Sequence, residues 1–228
     1  MAVTEPTINR NIRDHVEPDD LPAGRSEFTR FLMIYKFAID EVTTKVNILR
    51  EEFTHLHAYN PIEHVNTRLK TAGSIMAKAR HRDCARSLDE IRENIFDIAG
   101  VRLTCSFVSD VYTIFDLLTG QTDVTVIDIK DYIANPKPNG YQSLHAIVQI
   151  PVFLSTGTEN VFVEMQFRTV AMDFWASLEH KIYFKYNRDV PAALLEELTE
   201  AANTAAHLDQ RMQKLHQVVS SLPPRTDD

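Results

Sequence analysis

The sequence predicts an α/β (α+β) fold in which a mixed sheet of about five strands is flanked by helices. Two patterns lead to this prediction. Near both ends of the chain, apolar residues recur at steps of three and four, as they do along one face of a helix. Between these regions, apolar and polar residues alternate in short segments, as they do in strands that bury one face.

A long first helix is predicted from Ser26, because a serine suits the N-cap and Glu27 then falls in the first turn. Pro61 sets the limit of its length. A second helix is predicted from Ser74 to about Leu88. The apolar stripe of the first helix consists of Phe28, Phe31, Leu32, Tyr35, Ala38, Ile39, Val42, Val46, Leu49, Phe53 and Leu56.

Strands and further helices alternate through the rest of the chain. The predicted strands span 101–107, 124–129, 141–150 and 161–168. Helices are predicted over 110–118, 170–186 and 191–220, where Pro191 suits a first helical turn. The stripe of the last helix consists of Leu194, Leu198, Ala201, Ala205, Leu208, Met212, Leu215 and Val219.

The domain organisation follows from length and local composition. The 228 residues suit one domain with helical additions. Residues 1–25 are polar and contain three prolines, so they are predicted to form a flexible arm. The folded domain is predicted over 26–220, and 221–228 is predicted to be a flexible tail.

Charge and cysteine content restrict the partners and the compartment. A net charge of -8 disfavours a long nucleic acid as partner, although a local basic pocket is enough for a small anion. No apolar run approaches the roughly 18 residues that span a bilayer, so no membrane partner is expected. Cys84 and Cys105 form no CxxC pair, which favours reduced thiols and a cytoplasmic protein over a structural disulfide.

Three predicted strands carry reactive side chains on one face. A solvated face of an antiparallel sheet is also polar, so two interpretations are open. We favour a binding cleft, because arginine, tyrosine, histidine, glutamate and glutamine are concentrated where helices can enclose them. The residues are Arg102 and Thr104 on the first strand, Tyr141, Ser143 and His145 on a later one, and Glu164, Gln166 and Arg168 on the last.

Asp97 and Glu164 form a candidate metal site. Asp97 precedes the first of these strands and Glu164 lies within the last. Two carboxylates from separate elements can share Mg²⁺, which keeps several waters and adds phosphate oxygens as ligands. Because the chain has 32 carboxylates, the pair alone is a weak signal.

A basic cluster lies between Arg68 and Arg86. It contains six arginines and lysines against Asp83 alone, which gives a local charge of +5. Ser74 and Lys78 are four residues apart and share a helix face, and Ser74 lies near the helix start, where free backbone N–H groups favour phosphate. The cluster therefore predicts a phosphate site, with a solvated basic helix as the alternative.

The segment 135–141 is a rigid turn that enters a predicted strand. Two prolines fix its backbone, and Asn139-Gly140 permits a tight reversal. It presents Lys137 and then Tyr141, a cation beside an aromatic ring, which suits a phosphate joined to a purine. The alternative is a hairpin corner with no ligand.

Together these segments resemble the synthetase domain of the RelA/SpoT family, in particular the single-domain small alarmone synthetases. The resemblance covers about residues 26–215 and implies a nucleotidyltransferase-like synthetase fold without a hydrolase domain. The matching stretches are RLKTAGSIMAKA (68–79), DIAGVRLTCSFVSDV (97–111), DYIANPKPNGYQSLH (131–145) and VEMQFRTVAMDFWASLEHKIYFKY (163–186).

The resemblance implies transfer of pyrophosphate from ATP to the ribose 3′-oxygen of GDP or GTP, which gives the stringent-response alarmones ppGpp or pppGpp. It assigns Mg²⁺ binding and catalysis to Asp97 and Glu164. It assigns ATP binding to Arg68, Lys70, Ser74, Lys78 and Arg102, with the two arginines on the adenine. It assigns binding of the guanine nucleotide to Lys137, Tyr141, His145, Gln166 and Glu179.

The sequence also departs from the family pattern. Some small synthetases carry acceptor-binding lysines on the first helix, where this chain has Thr43 and Asn47. The choice among GDP, GTP and GMP is therefore open. Some members have asparagine at the position of Asp173, which leaves product regulation open as well.

Two other functions are compatible with the resemblance. A toxin-like relative would pyrophosphorylate adenine nucleotides or tRNA, although the acidic charge disfavours tRNA. A non-catalytic nucleotide sensor would not need both carboxylates. Because small members of the family are often tetramers and the terminal helices are long and apolar, we also expect a homo-oligomer, with a tetramer favoured.

Overall fold

The computed structural model describes residues 24–85, 87–185 and 190–221. Residues 1–23 of the predicted arm and 222–228 of the predicted tail lie outside the described residues. In chain order the described elements are α1 (Arg25–Leu56), β1 (Ile62–Leu69), α2 (Ala72–His81), α3 (Leu88–Asn94), β2 (Ala99–Cys105), α4 (Val108–Thr119), β3 (Thr125–Asp131), β4 (Leu144–Leu154), β5 (Gly157–Thr169), α5 (Val170–Lys185) and α6 (Ala192–Ser220).

The strands form one mixed sheet in the order β1-β2-β5-β4-β3. The central pair, β2 and β5, is parallel, and the other three pairs are antiparallel. The predicted mixed sheet of about five strands with flanking helices is confirmed. Because β5 lies between β2 and β4, its polar residues have neighbours on both sides.

One face of the sheet carries the main core. Val163, Met165 and Phe167 of β5 are buried in one cluster with Tyr35 and Ala38 of α1. The buried side chains of α4 belong to the same cluster, so α1 and α4 cover this face. Burying each large apolar side chain contributes about 1.5–3 kcal/mol, which makes this the face that holds the fold together.

The opposite face is partly covered by α5 and α6. A small buried cluster there consists of Trp175, Ala176 and Ala202, with Tyr141 packed against it. The indole N–H of Trp175 donates to the carbonyl of Leu198 at 2.8 Å and so ties α5 to α6. The rest of this face is the polar surface on which the candidate site lies.

The strand β1 is absent from the sequence prediction. Five of its eight residues are exposed, and polar residues fall on both of its faces, so it shows no clean alternation. It lies at an edge of the sheet and pairs with β2 alone. An edge strand is held by main-chain hydrogen bonds on one side, which sequence periodicity does not record.

The predicted second helix is in fact two helices. Thr71 caps α2 by accepting a hydrogen bond from the Ser74 amide at 3.3 Å, and the helix ends at His81. Asp83 then adopts a left-handed conformation with φ of 53°, and Ser87 caps the separate helix α3. The first helix begins at Arg25, with Gly24 as its N-cap, two residues before the predicted cap Ser26.

Two residues expected on the polar face are buried instead. Thr104 is 1% exposed and Ser143 is fully buried, with its hydroxyl donating to the carbonyl of Phe167 at 3.0 Å. The strand β4 begins at Leu144, so Tyr141 and Ser143 precede it. Thr104 and Ser143 are therefore part of the interior and do not line the site.

Within the predicted stripe of α6 only Leu198 is buried, and the stripe is therefore mostly wrong as a core face. Ala202, which the stripe does not contain, is buried, whereas Leu208, Met212, Leu215 and Val219 are 42–65% exposed. The next buried residue of α6 after Ala202 is polar, Asp209. None of the helices in the described ranges is both long enough and apolar enough to cross a membrane.

Candidate active site

Asp97 is the point where the basic cluster meets the sheet. It lies two residues before β2, and its Oδ2 accepts hydrogen bonds from Lys70 Nζ at 2.6 Å and Lys78 Nζ at 2.7 Å. Lys70 follows β1, and its backbone N–H donates to the carbonyl of Ile98 at 2.8 Å. Lys78 comes from α2. Three separate elements therefore converge on one carboxylate.

The electrostatics of this group are those of an ionised carboxylate. Burial favours its neutral form, but the hydrogen bonds from Lys70 and Lys78 outweigh burial and lower the pKa of Asp97 below its usual 3.8. Burial also lowers the pKa of Lys70. The other oxygen of Asp97, Oδ1, is buried and has no hydrogen-bond partner within the described part of the chain. A buried oxygen of this kind is available to a further cation.

Glu164 lies at the centre of the sheet. Its Cα is opposite Gly100 of β2 on one side and Ile147 of β4 on the other. One carboxylate oxygen accepts from Gln166 Nε2 at 3.2 Å, and the other is 3.7 Å from His145 Nδ1. Burial alone would raise its pKa, but the interaction with His145 outweighs burial, so the pKa of Glu164 is lowered and the group is a carboxylate.

Arg68 and Arg102 lie on the same face as Glu164. Arg68 is directly opposite Gly100, which is itself opposite Glu164, and paired residues of neighbouring strands share a face. Arg102 is two residues further along β2, and its Nε donates to Gln166 Oε1 at 3.2 Å. The unpredicted strand β1 is therefore what brings Arg68 to the predicted position beside Arg102.

The start of α2 carries the remaining predicted phosphate-binding residue. The Ser74 hydroxyl is 2.9 Å from Thr71 Oγ1 and the residue is exposed in the first turn. Lys78, one turn later, points to Asp97. The first turn of α2 thus presents a hydroxyl and free backbone N–H groups, and Lys78 of the same helix meets Lys70 at Asp97.

The turn 132–143 forms the far side of the site. Lys137 Nζ is 4.6 Å from the centre of the Tyr132 ring and 5.0 Å from that of Tyr141. Glu179 of α5 accepts from Asn139 Nδ2 at 3.2 Å, which ties the turn to the helix. The cation and the aromatic ring predicted from the sequence are therefore neighbours.

Tyr141 joins this turn to the polar residues of the sheet. Its hydroxyl is 2.8 Å from His145 Nε2 and accepts a hydrogen bond from Arg168 Nη2 at 2.7 Å. Its ring packs beside Trp175, with the ring centres 6.4 Å apart. These contacts fix the orientation of the ring.

The twelve residues predicted for the site lie on the polar face of the sheet and on the segments beside it, from Arg68 on β1 to Glu179 on α5, and the roles assigned to them stay predictions. Three further residues had no assigned role. Arg168 shares the period-two face of Glu164 and was identifiable from that spacing. Asp173 and Tyr132 carry no such signal, because Asp173 lies in the first turn of a helix and Tyr132 lies in a turn.

The first helix packs on the apolar face of the sheet. Because α1 covers the apolar face, it lies on the side of the sheet opposite to Glu164. The Thr43 hydroxyl is buried without a hydrogen-bond partner among the described residues. Lys45 on the same helix donates to Asp123 at 2.6 Å and Gln121 at 3.0 Å. The choice among GDP, GTP and GMP stays open.

A second concavity lies away from the site. It is a groove of about 560 Å³ between α1 and the β4–β5 hairpin, lined by residues that include Met33, Phe37 and Phe153. Two of its charged groups have separate partners, since Arg30 lies 4.0 Å from Glu159 and Asp40 pairs with Lys36. The chemistry therefore points to the polar face of the sheet.

Comparison with known proteins identifies the family. Residues 67–189 match the model of the region found in RelA / SpoT proteins. GTP pyrophosphokinase YwaC of Bacillus subtilis is 48% identical over 194 residues, which cover 85% of this chain and 92% of that protein. The chain belongs to the RelA/SpoT family. The matched region contains every residue predicted for the site.

Solved structures of this family have the same fold. The small alarmone synthetase 2 of Bacillus subtilis aligns with a TM-score of 0.77 at 46% identity, over 84% of this chain and 98% of that one. The small alarmone synthetase 1 of the same organism, bound to its product pppGpp, aligns with a TM-score of 0.77 at 37% identity, over 85% and 98% of the two chains. The resemblance to small alarmone synthetases is confirmed.

Proposed function

We propose that this protein transfers pyrophosphate from ATP to the 3′-hydroxyl of GDP or GTP, with GMP as a further candidate acceptor, and so makes ppGpp or pppGpp. One observation carries the proposal. A carboxylate bound by two lysines, Asp97, lies beside a strand whose carboxylate, Glu164, contacts His145 and through it Tyr141. The product pppGpp bound to a relative adds support.

The donor binds along the basic side of the site. Arg68 and Arg102 hold the adenine between their guanidinium planes, since guanidinium groups stack well on aromatic faces. Lys70, Ser74 and Lys78 hold the phosphates, helped by the N-terminus of α2. The convergence of both lysines on Asp97 supports this arrangement, because a triphosphate can replace the carboxylate as their partner.

Mg²⁺ is the proposed cofactor, held by Asp97 and Glu164. No group of three or more histidine, cysteine, aspartate or glutamate side chains in the described ranges could hold a metal. Mg²⁺ is commonly bound through one or two carboxylates with waters and substrate phosphates as the other ligands. The buried, unpaired Oδ1 of Asp97 fits this role. When bound, the ion neutralises charge on the transferred phosphates.

Glu164 is the proposed general base. Its lowered pKa means that it is a carboxylate able to accept the proton of the 3′-hydroxyl. The 3′-oxygen bonds to the β-phosphorus of ATP, and the bond from that phosphorus to the oxygen bridging the α-phosphate breaks. AMP leaves with the electron pair, and the γ- and β-phosphates stay together on the acceptor.

The acceptor binds on the turn side of the site. Tyr141 stacks on the guanine, which is worth about 1–3 kcal/mol in nucleic-acid systems. Lys137 and His145 contact the acceptor's phosphates. Gln166, next to Glu164, and Glu179, next to the turn through Asn139, complete this side.

Transfer of labelled phosphate tests the function. The protein is incubated with Mg²⁺, ATP labelled on its terminal phosphate, and GDP, GTP, GMP, AMP or tRNA in turn. We expect label in the guanine nucleotides and release of AMP. Label that enters tRNA or AMP preferentially would favour the toxin-like alternative, and label in none of them would favour a sensor.

The role of Glu164 has a matched control on the same strand. Glu164→Gln should nearly abolish transfer, because an amide accepts no proton at neutral pH. Glu159→Gln makes the same change at the hairpin end of β5, where Glu159 contacts Arg92 at 3.4 Å. It should leave the rate within about twofold, since surface ion pairs contribute little. Equal rates for both variants would remove Glu164 from catalysis.

We also propose that the protein is a cytoplasmic homo-oligomer, with a tetramer favoured. Four apolar residues of α6 form an exposed stripe, which supports burial against another copy. Cys84 and Cys105 are free and buried, which supports a reducing compartment. Light scattering that gives the mass of a single chain would reject the oligomer.

A further inference from the structure

Asp173 is the shared counter-ion of two arginines. It lies in the first turn of α5, and its Oδ1 accepts from Arg168 Nη1 at 3.0 Å and from Arg102 Nη1 at 3.4 Å. Arg168 is only 5% exposed, whereas Arg102 is about one-third exposed. One carboxylate oxygen therefore holds a fixed, buried guanidinium and a second one that is freer to move.

Arg168 connects Asp173 to the side of the site where the acceptor is proposed to bind. Its Nη2 donates to the Tyr141 hydroxyl at 2.7 Å and lies 3.4 Å from Gln166 Oε1. Its guanidinium carbon is also 5.3 Å from the centre of the Tyr141 ring. The position of the ring proposed to stack on guanine thus depends on a guanidinium that Asp173 holds.

Arg102 leads from Asp173 to the donor side. It shares Gln166 Oε1 with Arg168, at 3.2 Å, so the two guanidinium groups are close neighbours. Burial lowers the pKa of Arg102, repulsion from Arg168 lowers it further, and Asp173 opposes both effects. Without the carboxylate, two like charges would face each other on a partly desolvated surface.

We infer that Asp173 is a positioning residue that couples the two nucleotide subsites, an inference that rests on the proposed function. A nucleotide whose base stacks on Arg102 restrains that side chain and, through it, the carboxylate of Asp173. The carboxylate in turn restrains Arg168 and Tyr141. By thermodynamic linkage, a guanine nucleotide bound at Tyr141 must increase the affinity for the donor by the same factor as the donor increases the affinity for the guanine nucleotide. The connection runs through direct contacts of 3.4 Å or less.

Calorimetry without turnover measures the coupling. The probe is α,β-methylene ATP, in which a carbon bridges the α- and β-phosphates and prevents cleavage. It is titrated into the protein in buffer that contains Mg²⁺, once without GDP and once with saturating GDP. In the native protein we expect GDP to lower the Kd of the analogue about tenfold, which is within the usual range of such couplings. In Asp173→Asn, which removes the charge and keeps the shape, the factor should fall to about twofold or less.

Steady-state kinetics give a second, independent measurement. Because Asp173 touches neither substrate in this proposal, Asp173→Asn should raise the KM of both ATP and the acceptor several-fold and leave kcat within about threefold. Asp116→Asn, at an exposed carboxylate of α4 on the other side of the sheet, is the matched control and should change none of these values. A fall in kcat alone, or a rise in only one KM, would overturn the coupling role.

Two further measurements distinguish a loss of coupling from a loss of folding or of activity. If Asp173→Asn does not fold, as shown by the absence of a cooperative unfolding transition, Arg168→Lys is measured in its place, because lysine keeps the charge but cannot contact Asp173 and Tyr141 together. An equal analogue affinity with and without GDP in the native protein would overturn the inference directly. Absence of product from native protein that still couples the two nucleotides would instead reject the proposed reaction.

Discussion

The hydroxyl of Thr169 donates to the carboxylate of Asp209 at 2.6 Å, and both residues are buried. Thr169 ends β5, and its Oγ1 also accepts from the Met172 amide at 3.2 Å in the first turn of α5. The pair therefore ties α6 to the corner between β5 and α5. Arg168 and Asp173 project from the two sides of this corner, so its geometry determines theirs.

Replacing Asp209 should destabilise the protein. Asp209→Ala leaves the Thr169 hydroxyl buried without its acceptor and should lower the free energy of unfolding by about 1–3 kcal/mol. Asp209→Asn, whose amide oxygen can accept the same hydrogen bond, should cost less. Urea unfolding measures both values. Equal stability of Asp209→Ala and the native protein would contradict a structural role for the pair.

The same pair predicts a pH dependence. Burial raises the pKa of Asp209 above its usual 3.8, and the hydrogen bond from Thr169 only partly opposes this. Stability from this group is therefore full below 3.8 and is lost as the pH rises through the raised pKa. Because Asp209→Asn does not ionise, its stability relative to the native protein should improve as the pH rises above 3.8. A difference independent of pH would contradict the raised pKa.

Replacing Gly140 should strain the turn that carries Tyr141. Its φ of +83° is a conformation that side chains disfavour, and an added Cβ would lie 2.4 Å from the Cβ of Ala202 on α6. Gly140→Ala should therefore cost about 1–2 kcal/mol in backbone strain and about 1–3 kcal/mol from the clash. It should also raise the acceptor KM, because the turn must move.

The chain contains a control that separates strain from clash. Gly157 has a φ of +128°, and an added Cβ there would meet no atom within 4 Å. Gly157→Ala should therefore show the strain alone and leave the acceptor KM unchanged. Thermal unfolding and steady-state kinetics of both variants provide the comparison. Equal loss of stability in the two variants would show that the contact with Ala202 does not matter.

Tyr141 allows the ring and the hydroxyl to be separated. Tyr141→Ala removes the stacking surface and should weaken the guanine acceptor by about 1–3 kcal/mol. Tyr141→Phe keeps the ring and removes the contacts with His145 and Arg168, so acceptor affinity should fall less. Tyr59→Phe, which removes a hydroxyl that donates to Asp110 at 2.6 Å, is the control. Unchanged acceptor affinity in Tyr141→Ala would exclude stacking on this ring.

Lys70 should contribute to the donor and not to the acceptor. Its side chain is 11% exposed and shares Asp97 with Lys78. Lys70→Met keeps the apolar length but removes one cation, which should raise the KM of ATP about tenfold or more, the effect of one charged hydrogen bond. Lys36→Met, on an exposed pair with Asp40 of α1, should leave it unchanged. A rise in the KM of the acceptor, with the KM of ATP unchanged, would place Lys70 in the acceptor site instead.

The fold was largely predictable because its main elements bury one continuous face. Alternation over β4 and β5, and the three-four spacing of α1, follow directly from which side chains leave water. The edge strand β1 was missed for the complementary reason, since most of its side chains stay in water. The break between α2 and α3 depends on one left-handed residue, Asp83, that no apolar pattern marks.

The sequence by itself determined the family, the central strands and the identity of the charged residues, because these depend on local spacing and residue type. Which of these residues lie together depends on the tertiary structure. The pairing of β1 with β2 places Arg68 on the same face as Arg102, and the start of α5 brings Asp173 to Arg168 and Arg102. Contacts between distant segments depend on strand order and helix placement, which many side chains fix together and no single motif encodes.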